Sequence, residues 1–210
     1  MNKRAKRFTG IGLICLFAAF CLTAYNVWSD VSARAASQAA LRQLDSEYQK
    51  RSDAFQGWPD YVLDPEMEMP TQEIDGQRYI GTLRLESLGL TLPIISEWDY
   101  TRLRIAPCRY AGSAYLDNMV IAAHNYESHF GQLKNLSQGE KITFTDIDGN
   151  CFCYQVLDVE ILSPYDVQEM TEGAWDLTLF TCTIGGQSRV TVRCERTDLP
   201  KNERVAKITG

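Results

Sequence analysis

Residues 8–29 carry no charged side chain, and this run constrains the chain more than any other feature. It reads Phe8-Thr-Gly-Ile-Gly-Leu-Ile-Cys-Leu-Phe-Ala-Ala-Phe-Cys-Leu-Thr-Ala-Tyr-Asn-Val-Trp-Ser29. A helix needs ~20 mainly apolar residues to cross a bilayer, because hydrocarbon offers the backbone no hydrogen-bond partner. Lys3, Arg4, Lys6 and Arg7 precede the run, which predicts an N-terminus inside the cell. Tyr25 and Trp28 suit the opposite interface. A cleaved signal peptide is the rival reading, and Ala33-Arg-Ala35 would serve as its cleavage pattern. Such peptides have apolar cores of only ~7–15 residues, so the length favours a retained anchor. In both cases the remainder of the chain lies outside the membrane.

That remainder is acidic. Without the four N-terminal basic residues, 17 Lys and Arg face 27 Asp and Glu, a net charge of −10. Such a surface excludes nucleic acid as a partner and is not a polybasic lipid binder. Residues 31–57 are rich in Ala, Gln, Leu, Arg and Glu, which favours a helix that acts as a stalk. Pro59, Pro65 and Pro70, interleaved with acids, read as a linker. From residue 73 the pattern changes to short apolar or alternating runs, at about 78–85, 91–95, 118–123, 141–147, 151–160, 176–182 and 188–195. Strands at this spacing predict a barrel or a sandwich. Brief helices fit about 98–104 and 164–171.

The last two runs form a hairpin. Leu177-Thr178-Leu179-Phe180-Thr181-Cys182 and Arg189-Val-Thr-Val-Arg193 are joined by six residues that include Gly185-Gly186. Cys182 and Arg189 flank the loop and should face each other. A thiol beside a guanidinium suits a nucleophile and a stabiliser of an oxyanion. The missing element is a base. The chain has two histidines, and His124 closes the apolar run Met119-Val-Ile-Ala-Ala123 at a strand exit, followed by Asn125. His129 falls in a polar stretch and reads as a loop or rim residue. Taken alone, His124 would more often be a core histidine bonded to the backbone; the Cys182–Arg189 pair changes that weighting. Arg193 shares the strand face of Arg189, but it is farther from the turn and reads as a barrel-surface residue or a second electrostatic contributor.

Thr178-Leu179-Phe180-Thr181-Cys182 resembles the TLxTC signature of sortases, the cysteine transpeptidases that attach proteins to the cell wall of Gram-positive bacteria. The order His124, Cys182, Arg189 matches, with His124 standing 58 positions before Cys182. Tyr79-Ile-Gly-Thr-Leu-Arg-Leu85 followed by Leu92-Pro-Ile94 is similar to the family's first core strands. The resemblance covers about residues 75–197 and leaves the subclass open, with small class B or D members in view. It implies a mostly β fold, a closed eight-stranded barrel with short helices, after a transmembrane helix and helical stalk. The expected organisation is a cytoplasmic basic segment (1–7), a transmembrane signal anchor (8–29), an extracellular stalk and linker (30–72), a catalytic domain (73–197) and a polar tail (198–210).

The resemblance also implies a chemistry. Cys182 is the expected nucleophile, His124 the proton carrier, as imidazolium beside thiolate, and Arg189 the oxyanion and substrate stabiliser. Thr181 and Asn125 are the expected substrate-binding residues. No metal or cofactor is required. The implied substrates are secreted proteins with an LPxTG-like C-terminal sorting signal, and the implied acceptor is an amine of a peptidoglycan precursor. The plasma membrane is the third partner, through residues 8–29. The short charged tail speaks for anchoring rather than pilin polymerisation. A hydrolase that uses water at the same site, and a non-catalytic surface-binding domain, are the competing readings.

The other cysteines have simpler expectations. Cys15 and Cys21 lie in the apolar run. Cys108, Cys151, Cys153 and Cys194 read as small buried hydrophobes, because Cys151 and Cys153 are two apart on one strand and suit neither a mutual disulfide nor a finger-type metal site. Asp146-Ile-Asp148-Gly149-Asn150 departs from calcium-loop spacing and reads as a hairpin turn.

Overall fold

Alternating apolar residues dictate strands, and nine form: β1 (Gln72–Ile74), β2 (Gln77–Leu85), β3 (Leu90–Ile95), β4 (Cys108–Ala111), β5 (Met119–Ala123), β6 (Lys141–Asp146), β7 (Cys151–Leu162), β8 (Leu177–Cys182) and β9 (Arg189–Arg196). Three helices accompany them: α1 (Lys3–Ser52), α2 (Asp60–Leu63) and α3 (Val167–Thr171). A computed structural model describes residues 3–52, 59–183 and 185–198 of the chain. Most of the expected tail, together with residues 1–2, lies outside the described residues.

Eight strands close into a barrel in the order β2-β3-β4-β5-β8-β9-β7-β6, with β6 returning to β2. The β3–β4 and β5–β8 pairs are parallel and the rest antiparallel. The ninth strand, β1, pairs with residues 77–79 of β2, whereas β6 takes residues 81–85. Gly81 sits at this handover. Its φ is +154°, and a Cβ there would lie 2.1 Å from the Thr145 carbonyl oxygen. Only glycine lets the two strand backbones approach so closely.

Period-two alternation divides the strands between two clusters. Met119, Ile121, Leu177, Leu179 and Val192 point into the barrel with Leu83, Phe144 and Phe152. Val120, Ala122 and Phe180 point outward into a second cluster with Leu103 and Met170. β5 is therefore buried on both faces, which is why it is apolar without alternation. Tyr61 of α2 stacks on Tyr115 at 4.6 Å and packs against Phe152 at 5.3 Å, so part of the expected linker closes one barrel end.

α1 is one continuous helix. Within Phe8–Tyr48 an 18-residue window reaches a mean hydropathy of 2.0, and none of that window is buried. Residues 8–29 span about 33 Å at 1.5 Å rise per residue, enough for a bilayer core. Beyond them the helix does not stand clear of the barrel as a free stalk. Ala33, Ser37, Ala40 and Leu44, spaced by four, three and four residues on one helix face, are all buried. Ala40 and Leu44 join the outer cluster with Ile74, Tyr79 and Ile95.

Candidate active site

Strand parity builds the site. Phe180 and Cys182 share the outward face of β8, and Ala122 and His124 continue the outward face at the exit of β5. On β9 the outward face carries Arg189 and Arg193. Cys182 pairs directly with Arg189 across the antiparallel β8–β9 ladder. Ala123 pairs with Thr181 across the parallel β5–β8 ladder, which sets His124 beside Cys182 in register. The connecting turn supplies the geometry: Gly185 and Gly186 adopt φ of +86° and +73°, the Thr183 amide donates to the Ser188 carbonyl, and the Gly186 amide donates to the Thr183 carbonyl.

These three residues line one cleft of about 180 Å³. Its apolar wall consists of Trp98, Tyr100, Leu103, Tyr110, Met170 and Phe180. The rings of Trp98 and Tyr110 lie 5.1 Å apart, and Tyr110 meets Phe180 edge-on at 5.3 Å. Tyr100 is 72% exposed and forms the rim. Sequence reasoning missed this wall because its parts come from the 98–104 segment, the short strand β4 and the α3 region, which only the fold brings together.

Each polar residue is held by definable forces. The Arg189 guanidinium donates to the carbonyls of Gly186 and Ser188 at 3.2 and 3.1 Å, which ties it to the turn. Burial, and then the positive charge of Arg104, lower the pKa of His124 below the usual imidazole value. Both causes favour neutral imidazole, in contrast to the imidazolium expected from the sequence. The Thr181 hydroxyl is buried and donates to the Ala123 carbonyl at 2.8 Å, fastening the end of β5 next to His124. Asn125 is exposed and does not line the cleft.

Four residues, Arg193, His129, Cys151 and Cys153, differ from their expected settings. Arg193 is buried, not on the barrel surface: it bonds Glu160 at 2.6 Å and Thr178 at 3.2 Å, and donates to the carbonyls of Glu169 and Met170. It thus pins α3 to the sheet. His129 is fully buried, not at the rim, with Nε2 3.2 Å from the Ser37 hydroxyl of α1. Cys151 is exposed and Cys153, also expected to be buried, is only half-buried, whereas Cys108 and Cys194 are buried as expected; burial pushes the Cys108 thiol up to about 12. The 146–150 segment is a turn, whose Asp146 carboxylate accepts from Tyr115, Asn150 and the Asp148 amide.

Comparison with known proteins agrees with this architecture. The Sortase domain profile matches residues 83–197, more than half of the chain, and the chain belongs to the sortase family. Among solved structures, the sortase D5 transpeptidase of Clostridium perfringens is similar over 73% of this chain and 97% of its own, with 18% identity and a TM-score of 0.54. The lid mutant of sortase A from Corynebacterium diphtheriae covers 80% of this chain and 98% of its own at 21% identity, TM-score 0.51. Sortase C of C. perfringens covers 75% and 91% at 22% identity, TM-score 0.52. At these identities the likeness is one of fold. No curated protein matches the chain.

Proposed function

We propose that this protein is a membrane-anchored cysteine transpeptidase that joins secreted proteins to a cell-wall amine. The observation that carries the reading is the convergence of Cys182, His124 and Arg189 in one cleft, each delivered by strand register. Neutral His124 accepts the Cys182 proton as sulfur attacks the carbonyl carbon of the sorting motif. Arg189 stabilises the oxyanion that develops. As the peptide C–N bond breaks, His124 returns the proton to the leaving amine, and a thioester to Cys182 remains. The amine of a peptidoglycan precursor attacks that thioester, its proton passes through His124, and the free thiol is restored with a new amide. Every step balances without metal or redox chemistry.

Thr181 takes part by holding the β5 exit; Asn125, which follows His124 but lies outside the cleft, is not needed for these steps. An LPxTG-like motif is the proposed donor; C. perfringens sortase C was solved with its C-terminal cell wall sorting motif. Residues 8–29 anchor the chain with its N-terminus inside, and residues 73–197 form the catalytic domain outside. Mass spectrometry of the protein with sorting peptides, with and without an amine donor, tests the reading. The expected result is an acyl adduct on Cys182 and an amine-dependent ligation product. Cleavage with no amine-dependent product would identify a hydrolase. No adduct on any peptide, together with unchanged behaviour of Cys182→Ala, would leave a non-catalytic domain.

A further inference from the structure

The extracellular half of α1 touches the loop that carries His124, and hydrogen-bond accounting shows how. The Ser37 hydroxyl donates its one proton to the Ile105 carbonyl at 2.9 Å. Its 3.2 Å contact with His129 Nε2 must therefore be an N–H donated by histidine. That fixes the His129 tautomer, and Nδ1 is left as a buried acceptor with no partner. Two helical turns earlier, the Asp30 carboxylate accepts from the Ser128 amide at 3.1 Å and from the Ser128 hydroxyl. α1 thus grips two consecutive loop residues, 128 and 129.

The loop transmits this grip to His124. The Phe130 amide donates to the His124 carbonyl, and the amides of His129 and Gly131 both donate to the Tyr126 carbonyl. A Cβ on Gly131 would lie 2.7 Å from the carbonyl oxygens of Asn125 and Tyr126, so the loop is closed tightly on itself. The Tyr126 ring stands between the two imidazoles, 5.0 Å from His124 and 5.6 Å from His129. Asp30 and His124 are the ionisable groups that act on His129.

We propose that α1 is a positioning element of the active site: Asp30 and Ser37 hold the 124–131 loop, and through it the imidazole of His124, in the geometry that takes the Cys182 proton. The inference rests on the catalytic roles proposed above for Cys182 and His124. Without this grip the imidazole samples orientations that do not reach the thiol, and proton transfer slows while substrate binding is unaffected.

The test uses the full chain in detergent micelles. Two readouts are compared for wild type, Asp30→Asn, Ser37→Ala and Tyr48→Phe: kcat and KM on a sorting peptide, and the pH profile of Cys182 alkylation by iodoacetamide. The second readout needs no peptide turnover. Tyr48→Phe removes another α1–barrel hydrogen bond, to the Thr145 carbonyl, far from the His124 loop. The expected result is a fall in kcat of about tenfold for Asp30→Asn and Ser37→Ala with KM unchanged. Their alkylation profiles shift, whereas Tyr48→Phe behaves as wild type. In a His124→Ala background, Ser37→Ala has no further effect. Unchanged alkylation profiles in Asp30→Asn and Ser37→Ala, or an equal loss in Tyr48→Phe, would overturn the proposal. Wild-type protein with a normal His124-dependent alkylation profile but no peptide turnover would instead count against the transpeptidase reading alone.

Discussion

At the scale of single residues, the two arginines on the outward face of β9 illustrate how burial separates chemistry from architecture. Arg189 flanks the cleft and keeps its donors near the turn; Arg193 has its donors committed to Glu160, Thr178 and two carbonyls. Arg189→Ala should lower kcat/KM by about 10²–10³-fold, the range for losing one oxyanion donor, with little change in melting temperature. Arg193→Ala should do the reverse: it removes the partner of the part-exposed Glu160 carboxylate and of two carbonyls, a cost of about 1–3 kcal/mol, read as a lower urea midpoint. An inactive, stable Arg193→Ala beside a fully active Arg189→Ala would reverse the assignment. His124 carries a pH signature. Its pKa is lowered by burial first and by Arg104 second, so it takes up a proton at lower pH than an ordinary imidazole. The acidic limb of the kcat/KM profile should therefore lie below the ordinary imidazole range. Arg104→Gln should move the limb upward, and less so in high salt, because Arg104 is exposed and screened. A limb that ignores Arg104 would remove its charge from the site.

Elements show where the sequence was legible and where it was not. The runs that alternate or carry β-branched residues over five or more positions form strands within a residue or two of their expected bounds. β1 and β4 escaped because three and four residues offer too few periods, and Arg109 and Tyr110 blur the pattern of β4. The Cys182–Arg189 pairing was readable because a six-residue turn sets register locally. The burial of His129 was not, since it depends on α1 arriving from 92 positions away. That burial has a measurable consequence. Desolvation, with a smaller contribution from His124, lowers the His129 pKa to about 4, below the unfolded value of 6.5. The unfolded chain therefore binds the extra proton first. The contribution tied to neutral His129 is fully present above pH 6.5, declines as pH falls, and is gone by about pH 4, a change on the order of 3 kcal/mol. Unfolding by urea between pH 4 and 7 should show this slope, and His129→Gln should flatten it; an unchanged slope would place the titration elsewhere. Gly81 gives a second element-scale expectation. Gly81→Ala forces a Cβ onto the Thr145 carbonyl at the point where β2 changes partners, and should cost about 2–3 kcal/mol by thermal unfolding. An unaffected melting temperature would mean that the β2–β6 closure can shift to admit a methyl group.

On the scale of the whole molecule, the continuity of α1 joins the apolar run to the loop that follows His124. The uncharged run ends at residue 29, and Asp30 already bonds Ser128 in the loop that follows His124. If residues 8–29 span a bilayer as proposed, a barrel held in this way would sit on the bilayer surface, with no free stalk between them. On the proposed function, a sorting signal that emerges from the same membrane would meet the barrel without a long reach, which would reduce the entropy lost in bringing the two together. The sequence predicted both the span and the helix after it, but a helix-favouring composition does not say whether that helix stands free or packs. The decision lies in the Ala33, Ser37, Ala40 and Leu44 stripe, whose small residues let the helix approach the barrel closely. If the N-terminus is inside, exposed Cys151 lies outside, while Cys15 and Cys21 lie within the hydrocarbon. Single-cysteine variants in intact cells, treated with a membrane-impermeant maleimide, separate the possibilities. Cys151 should react at once, and Cys15 and Cys21 should react only after detergent dissolves the membrane. Labelling of Cys151 that also waits for permeabilisation would invert the topology, and the extracellular ligation chemistry would fall with it. Immediate labelling of Cys15 would show that residues 8–29 do not span the bilayer. In that case the docked α1 would be an ordinary surface helix, and the link it provides between bilayer and His124 would be lost.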